Sequence, residues 1–530
     1  MVLTADAKPS LWGTFDAVRD RLYRQYEDTT FDLSTGLDAE GVKAATAAFL
    51  AEHSSLPRVL QKAHVMRIAL TQGAIAIDPV DWFVDKVEHD CLLRGLNVES
   101  GPQRGGVVRS LSLRWLGEAI AGPIAEEAAW LSRAYRVGQA TGPRGGLDRG
   151  HIAPGWDNLM AGGLNGLLRK VVEAREAAGT QATQEQLAFW EAVEIVYRAA
   201  IELGGRFSRL ARRMADALPE HRERLLTIAE AMSNVPANRP RTFHEALQLH
   251  WLMHELIEME GEFVRSDGQF DRTFYPFYRS DVDSGRITRE QAKELIKFFW
   301  YKWYSRTHGK DNGKNFCFAG VYADGSEIAN ELTYLALEAY EELNVPDPKL
   351  SVRLTSRTDP KLYRRVAELI RSGHNSIVLI NDDVAIEALV KRGKQREDAR
   401  CYLPIGCYEP AVEGKEAGCT MNITVNLAKG VELALNDGRD PATGEQVGPH
   451  TGDPTTFESF DDLWAAYVGQ MDAFLEGARA SIAAAEGAWP AINPSPVVAG
   501  TFDECLARGK DIGQAGPLYN SVGFVGAGLA

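Results

Sequence analysis

The sequence predicts an α/β fold, with a long helical N-terminal part and a parallel sheet or barrel after residue 345. Three observations carry this. The 530 residues are 45% hydrophobic and 25% charged, which is globular and enough for a large core. Two segments before residue 305 open with helix-capping signatures. Beyond residue 345, two strand–helix units follow one another, as parallel sheets require.

In chain order, "RTFHEALQLHWLMHELIEME" begins at Thr242 with Glu245 three residues on, a capping box. It is apolar nearly all round, so it reads as a buried helix. "DSGRITREQAKELIKFFWYKWY" repeats the signature with Thr288 and Gln291. Its Ala292, Leu295, Ile296, Phe299, Trp300 and Trp303 keep helical spacing. "KLSVRL" alternates like a strand. The next helix has Asp359 as N-cap, Pro360 at its first position and Gly373 past its end. "SIVLIN" is a continuous apolar run, expected as a strand covered on both faces. "DDVAIEALVKRG" is helical again. Asn436 to Pro454 is a long surface loop, because helical pattern resumes at "SFDDLWAAYVGQMDAF".

The formal charge of -15 argues against nucleic acid or an anionic membrane as partner. There is no signal-peptide pattern and no apolar run of membrane-spanning length. The six cysteines (Cys91, Cys317, Cys401, Cys407, Cys419 and Cys505) contain no CxxC pair. That disfavours a disulfide scaffold or a thiolate zinc site, and the reading is a reduced, cytoplasmic protein. His250 and His254 are four apart on one helix. The zincin pattern needs Glu after the first His, and Trp251 stands there, so no metal is expected.

The stretch "YLPIGCYEPAVEGKEAGC" (Tyr402 to Cys419) follows the second strand–helix unit directly and so is placed beside strand ends. Pro410 keeps Glu409 out of helical geometry, and in an extended segment residues two apart face the same side. Cys407 and Glu409 are therefore expected to share one pocket. A carboxylate raises a thiol's pKa, which weakens a papain-like reading. The pair suits hydrogen-atom abstraction by sulfur with proton removal by the carboxylate, chemistry that needs an initiator beyond ordinary side chains.

"IGCYEP" resembles the G-C-x-E-P loop of glycyl radical enzymes, the pyruvate formate-lyase superfamily. "GHIAPGW", "SDGQFDRTFYPFY", "NELTYLALEA", "LSVRL" and "DPATGEQVGPHTGDP" resemble further family segments in the right order, with Gln269 and Arg272 as departures. The resemblance covers residues 150–530 and implies a glycyl-radical-type α/β barrel wrapped by helices, with one such unit over 1–530. Tyr408 follows Cys407 where formate acetyltransferases carry a second cysteine. The resemblance is thus to the Cys-x-Glu dehydratase and eliminase branch, a lyase on a small oxygenated metabolite. It implies Cys407 and Glu409 as catalytic residues and His151, Phe318 and Met421 as substrate-binding, and places Phe316 and Phe318 near a pocket wall, with core packing as the alternative for both. A C–C lyase, decarboxylase or formate acetyltransferase-like activity is the alternative within the family.

Two departures point to a more apolar pocket than a glycerol or propanediol site: Phe263–Val264 where diol dehydratases show His-Ser, and Met421 where they show Asp. A larger one is an absence. The family stores its radical on a glycine in an R-V-x-G-[YF] context, installed by a radical-SAM activating enzyme. "YRVGQ" lies too early, and "NSVGFVG" lacks the arginine. The expectation is a chain cut short before that domain. A split enzyme with a separate glycyl radical subunit is second, and a catalytically silent subunit third. A homodimer and no bound cofactor complete these expectations. Ser266 and Asp271 are read as loop braces.

Overall fold

Helices dominate up to residue 306, and their caps show why they begin where they do. The computed structural model describes residues 11–88, 107–141, 151–262, 264, 266–307, 309, 313–406 and 408–528; for Arg109, residues 419–422 and Val522 it describes the backbone alone. Helix α1 (Trp156–Ala178) leads into α2 (Gln184–Ala217), which opens with a Thr183–Gln186 capping box. Helix α3 (Phe243–Glu260) is buried along its whole length. Thr242 caps it by accepting from the Glu245 N–H, but the Glu245 carboxylate turns to Arg241 and Asn234, so the expected box is half formed. Helix α4 (Arg289–Arg306) carries the full Thr288–Gln291 box. Among the described residues no helix is long and apolar enough to cross a membrane.

Three small strands precede the main sheet. β1 (Ile75–Ala76) pairs with β2 (Lys86–Val87), and β3 (Ala140–Thr141) joins a later strand. The main sheet is parallel, in the order β4 (Ser266–Gln269), β5 (Asn315–Ala319), β6 (Lys349–Leu354) and β7 (Ile377–Asn381). Helices α4, α5 (Glu331–Leu343) and α6 (Pro360–Arg371) make the crossovers. Asp359 caps α6, with Pro360 at its first position, as the sequence predicts. The run "SIVLIN" is a strand, but not one covered on both faces. It forms the edge β7, its burial alternates, and Leu379 is 47% exposed.

The pleat of β5 divides its residues. Phe316 and Phe318 face the helices. Phe316 packs on His250, Phe299 and Trp303, and Phe318 on Phe270 and Trp300, with ring centroids 5.2–6.1 Å apart. Asn315 and Cys317, one position out of phase, face the other way, and so do Ser351 and Arg353 of β6. Over this inner face lies an antiparallel hairpin, β8 (Tyr402–Ile405) and β9 (Glu409–Val412). The chain continues into β10 (Glu416–Asn426), flanked by β3 antiparallel and β11 (Tyr519–Ala527) parallel. Helices α8 (Leu427–Ala434) and α9 (Phe460–Ile492) bracket the long loop expected between residues 436 and 454.

Arg353 holds the base of the hairpin. It is wholly buried, as is Asp382 at the start of α7 (Asp382–Lys391), and the two form a bidentate pair at 2.9 and 2.8 Å. Two further N–H donors go to the backbone carbonyls of Tyr402 (3.0 Å) and Arg400 (2.7 Å). The guanidinium also lies over the Tyr402 ring, whose hydroxyl donates to Asp382 at 2.7 Å. Burial alone would lower the arginine's pKa, but the adjacent Asp382 raises it above its ordinary value, so the cation stays charged. Removing one member strands the other charge without water. Asp382→Ala is therefore expected to destabilise the fold by about 3–5 kcal/mol. Denaturant titration checks this, and hydrogen exchange should accelerate across residues 400–412 before the rest of the chain; unchanged exchange there would contradict the anchor.

Candidate active site

The turn of the hairpin spans residues 406–408. Cys407 itself lies outside the described residues; its two neighbours are described. Gly406 has φ +49° and Tyr408 φ +81°, both left-handed, and the Tyr408 N–H donates to the Ile405 carbonyl at 2.8 Å. A non-glycine residue at such a φ is strained and survives only where its surroundings hold it. The glycine is needed twice over, since a methyl group at 406 would overlap the His151 ring. Asn315 grips the same residue from the sheet side. Its side-chain amide donates to the Gly406 carbonyl at 2.9 Å and to the Gly313 carbonyl at 3.2 Å, while its oxygen accepts from Ser351 Oγ at 3.1 Å. Asn315, Ser351 and His151 are all buried.

Glu409 begins β9, extended as Pro410 requires, and lies directly across from Ile405. Cross-strand partners share a face. The carboxylate therefore lies on the face that carries Leu403, Ile405 and Ala411, which cluster with Ala153 and Cys317. Glu409 is half-buried. Beyond β9, Glu413 accepts from Arg272 at 2.5 Å and from the Asp157 N–H at 3.1 Å, and Arg272 reaches Asp157 at 2.8 Å. Burial, with the neighbouring Asp157, pushes Glu413 up to about 7 although Arg272 opposes it. Arg272, a departure from the family pattern, thus ties the start of α1 to the end of the hairpin.

The structure brings His151 and Glu409 to the same hairpin. It does not bring Phe318 there. The expectation that Phe318 lines the pocket is corrected by the pleat, which turns it into the aromatic layer between sheet and helices. The residues of β5 that face the hairpin are Asn315 and Cys317. The hairpin lies beside strand ends, as expected, and runs from the carboxyl end of β6 to the amino end of β5. Its base lies near Arg353, and its turn lies at Asn315. Met421 belongs to β10, but its side chain, like all of Phe263, lies outside the described residues. His250 and His254 are bound to Asp267, by its carbonyl at 2.9 Å and its carboxylate at 2.7 Å. Burial holds His250 down at about 3, so it is neutral. A surface cleft of about 500 Å³ lined by Thr451, Phe457, Glu458 and Asp462 shares no residue with the hairpin.

Asn315, Ser351 and Arg353 are positioning residues that the sequence reading did not single out. A signal was present: a carboxamide and a guanidinium inside otherwise apolar strands need buried partners. Asn315→Ala leaves the Gly406 carbonyl without its donor, at a cost of about 1–3 kcal/mol. The expected result is hydrogen exchange at residues 405–409 faster by about ten-fold or more, with little change in β7 or α6. Equal acceleration everywhere would mean that Asn315 supports the sheet rather than the turn.

A family model described as pyruvate formate lyase-like matches residues 115–530. A (2S)-3-sulfopropanediol dehydratase from Klebsiella oxytoca is 28% identical over 98% of this chain and 68% of its own length. A trans-4-hydroxy-L-proline dehydratase from Clostridioides difficile is 30% identical over 76% and 53%, and an isethionate sulfite-lyase from Oleidesulfovibrio alaskensis 32% over 61% and 41%. The chain thus spans from about two fifths to two thirds of the length of these relatives. Among solved structures, one on 1,2-propanediol dehydration in Roseburia inulinivorans superposes with a TM-score of 0.81 at 26% identity, covering 94% of this chain and 67% of that one. The hydroxyproline dehydratase of Clostridioides difficile, at 24% identity and a TM-score of 0.82, shows the same fold. These relatives are two dehydratases and a sulfite-lyase. With its hairpin, helix-wrapped parallel sheet and matched motifs, the chain belongs to the pyruvate formate lyase-like family of glycyl radical enzymes.

Proposed function

We propose that this chain is the catalytic body of a lyase that removes water, an amine or sulfite from the carbon next to a hydroxyl-bearing carbon. The observation that carries this is the hairpin. Its turn is held at Gly406 from two sides, by Asn315 and His151, and Glu409 stands one residue beyond it. Ile405, Cys317, His151 and Asn315 around the turn are buried. The family's glycine radical supplies the oxidising equivalent, and no glycine of that context occurs in the 530 residues. We assign the radical's installation to a radical-SAM activating enzyme.

In this reading Cys407 takes a hydrogen atom from the hydroxyl-bearing carbon and later returns one to the product. Glu409 accepts the hydroxyl proton, which raises electron density at that carbon and expels the leaving group from its neighbour. His151 orders the turn and borders the substrate, with Met421 on the side of β10. A homodimer in the cytoplasm belongs to the same proposal. A decarboxylase is the second reading, supported by a 27% identical indoleacetate decarboxylase from Tractidigestivibacter scatoligenes.

The test uses the protein in its native polypeptide, with its partner subunit if there is one, after treatment with the activating enzyme. Cys407→Ser is expected to abolish turnover while leaving the glycyl doublet in the EPR spectrum. Glu409→Gln is expected to lower kcat by about 10²–10⁴. Full activity of Cys407→Ser would refute the role given to the hairpin.

A further inference from the structure

We propose that Ser266 is a substrate-binding residue whose hydroxyl bonds an oxygen of the substrate; this rests on the elimination reading above. The residue opens β4, and in the parallel ladder it stands in direct register with Asn315. Its neighbour Asp267 turns to the helices, where its carboxylate meets His254. Successive side chains on a strand take opposite faces, so Ser266 points to the inner face, beside the amide that holds Gly406.

The polar groups around it are occupied. Asn315 gives its amide hydrogens to the carbonyls of Gly406 and Gly313 and accepts from Ser351. The Ser266 carbonyl takes the indole N–H of Trp156 at 3.0 Å. The hydroxyl of Ser266, by contrast, is fully buried and has no hydrogen-bond partner among the described residues. Two other unpartnered atoms lie on β4, but the Asp267 carboxylate is held on the helix side through its other oxygen by His254, and the Gln269 amide is tied to Asp271 and the Ala319 carbonyl at the far end of β5.

A buried hydroxyl with no partner destabilises a fold, and alanine would remove the penalty. A brace would show bonds to what it braces, as Asp271 does through Thr333, Gln269 and the Ala319 N–H. Ser266 shows none. Its chemistry, a neutral donor and acceptor one strand away from the cysteine turn, fits a hydroxyl of a small polar substrate. In this role Ser266 selects substrates that carry an oxygen on the side of β4 and disfavours those that present carbon there.

The experiment compares wild type, Ser266→Ala and Ser266→Thr in the native polypeptide. It uses (2S)-3-sulfopropanediol, trans-4-hydroxy-L-proline and isethionate as probes. It reads the Tm without probe, the probe-induced rise in Tm, and kcat and KM after activation. For Ser266→Ala the expected result is an equal or higher Tm without probe, an intact glycyl doublet, and a KM raised about ten-fold for any probe that wild type uses. Ser266→Thr keeps a hydroxyl and should retain most of the affinity. A lower Tm with unchanged KM would make Ser266 a structural residue and overturn the inference alone. Wild type that neither binds nor converts any probe would reject the elimination reading itself, and the inference would fall with it.

Discussion

The buried guanidinium of Arg353 is the constraint on which the site depends. An uncompensated cation in a dry interior is prohibitively costly, so its place is acceptable only with its charge paired and its donors bonded to buried acceptors. Asp382 supplies the charge, and the Tyr402 and Arg400 carbonyls supply the rest. The carbonyls belong to the chain entering the hairpin, and Arg353 belongs to the sheet. The need to satisfy one side chain thus decides where β8 runs. Once the base is fixed, the four residues of β8 set how far the turn travels, and it arrives where Asn315 can take the Gly406 carbonyl. Two polar side chains at opposite ends of the parallel strands define the course of a hairpin that is otherwise held by small apolar contacts.

The turn concentrates strain in a short distance. Both residues flanking position 407 are left-handed, and Tyr408 bears that cost with a side chain. Such geometry needs a rigid frame, and the frame here is double. The His151 segment bridges to Val264 on one side, and the β4–β6 ladder backs the other. The salt links of Arg272 then close the frame behind β9. Under the proposed function, a reactive sulfur at this turn would gain from such rigidity, because hydrogen-atom transfer is intolerant of misplacement.

Much of this was legible in the sequence where local chemistry decides structure. Thr288–Gln291 and Asp359–Pro360 fix helix starts through their own hydrogen bonds and ring geometry, and they stand where expected. Pro410 likewise implied an extended Glu409. What was not legible depends on partners distant in the chain. "SIVLIN" reads the same whether one or both faces are covered, and only the end of the sheet at β7 decides that. "NFCFA" has period two on either assumption, so the sequence could not say which face looked inward. The aromatic residues drew attention as a pocket wall, while Asn315, the polar member of the run, was the one turned to the hairpin. The Thr242 capping box failed on its second half because Glu245 found a cation in Arg241, a competition that no spacing rule contains.

The sheet that follows the hairpin has a consequence for the order of assembly. β10 takes one neighbour, β3, from chain made long before it, and the other, β11, from chain made roughly ninety residues later. At ribosomal speeds of about 5–20 residues per second, β10 waits on the order of ten seconds with one edge bare. An unpaired edge next to a strained turn is a template for pairing with other chains. During synthesis the nascent protein therefore passes through an interval in which the β8–β9 hairpin is finished while the strand beside it is still open to the wrong partner. Chaperone occupancy in that interval would protect this fold more than any gain in its final stability.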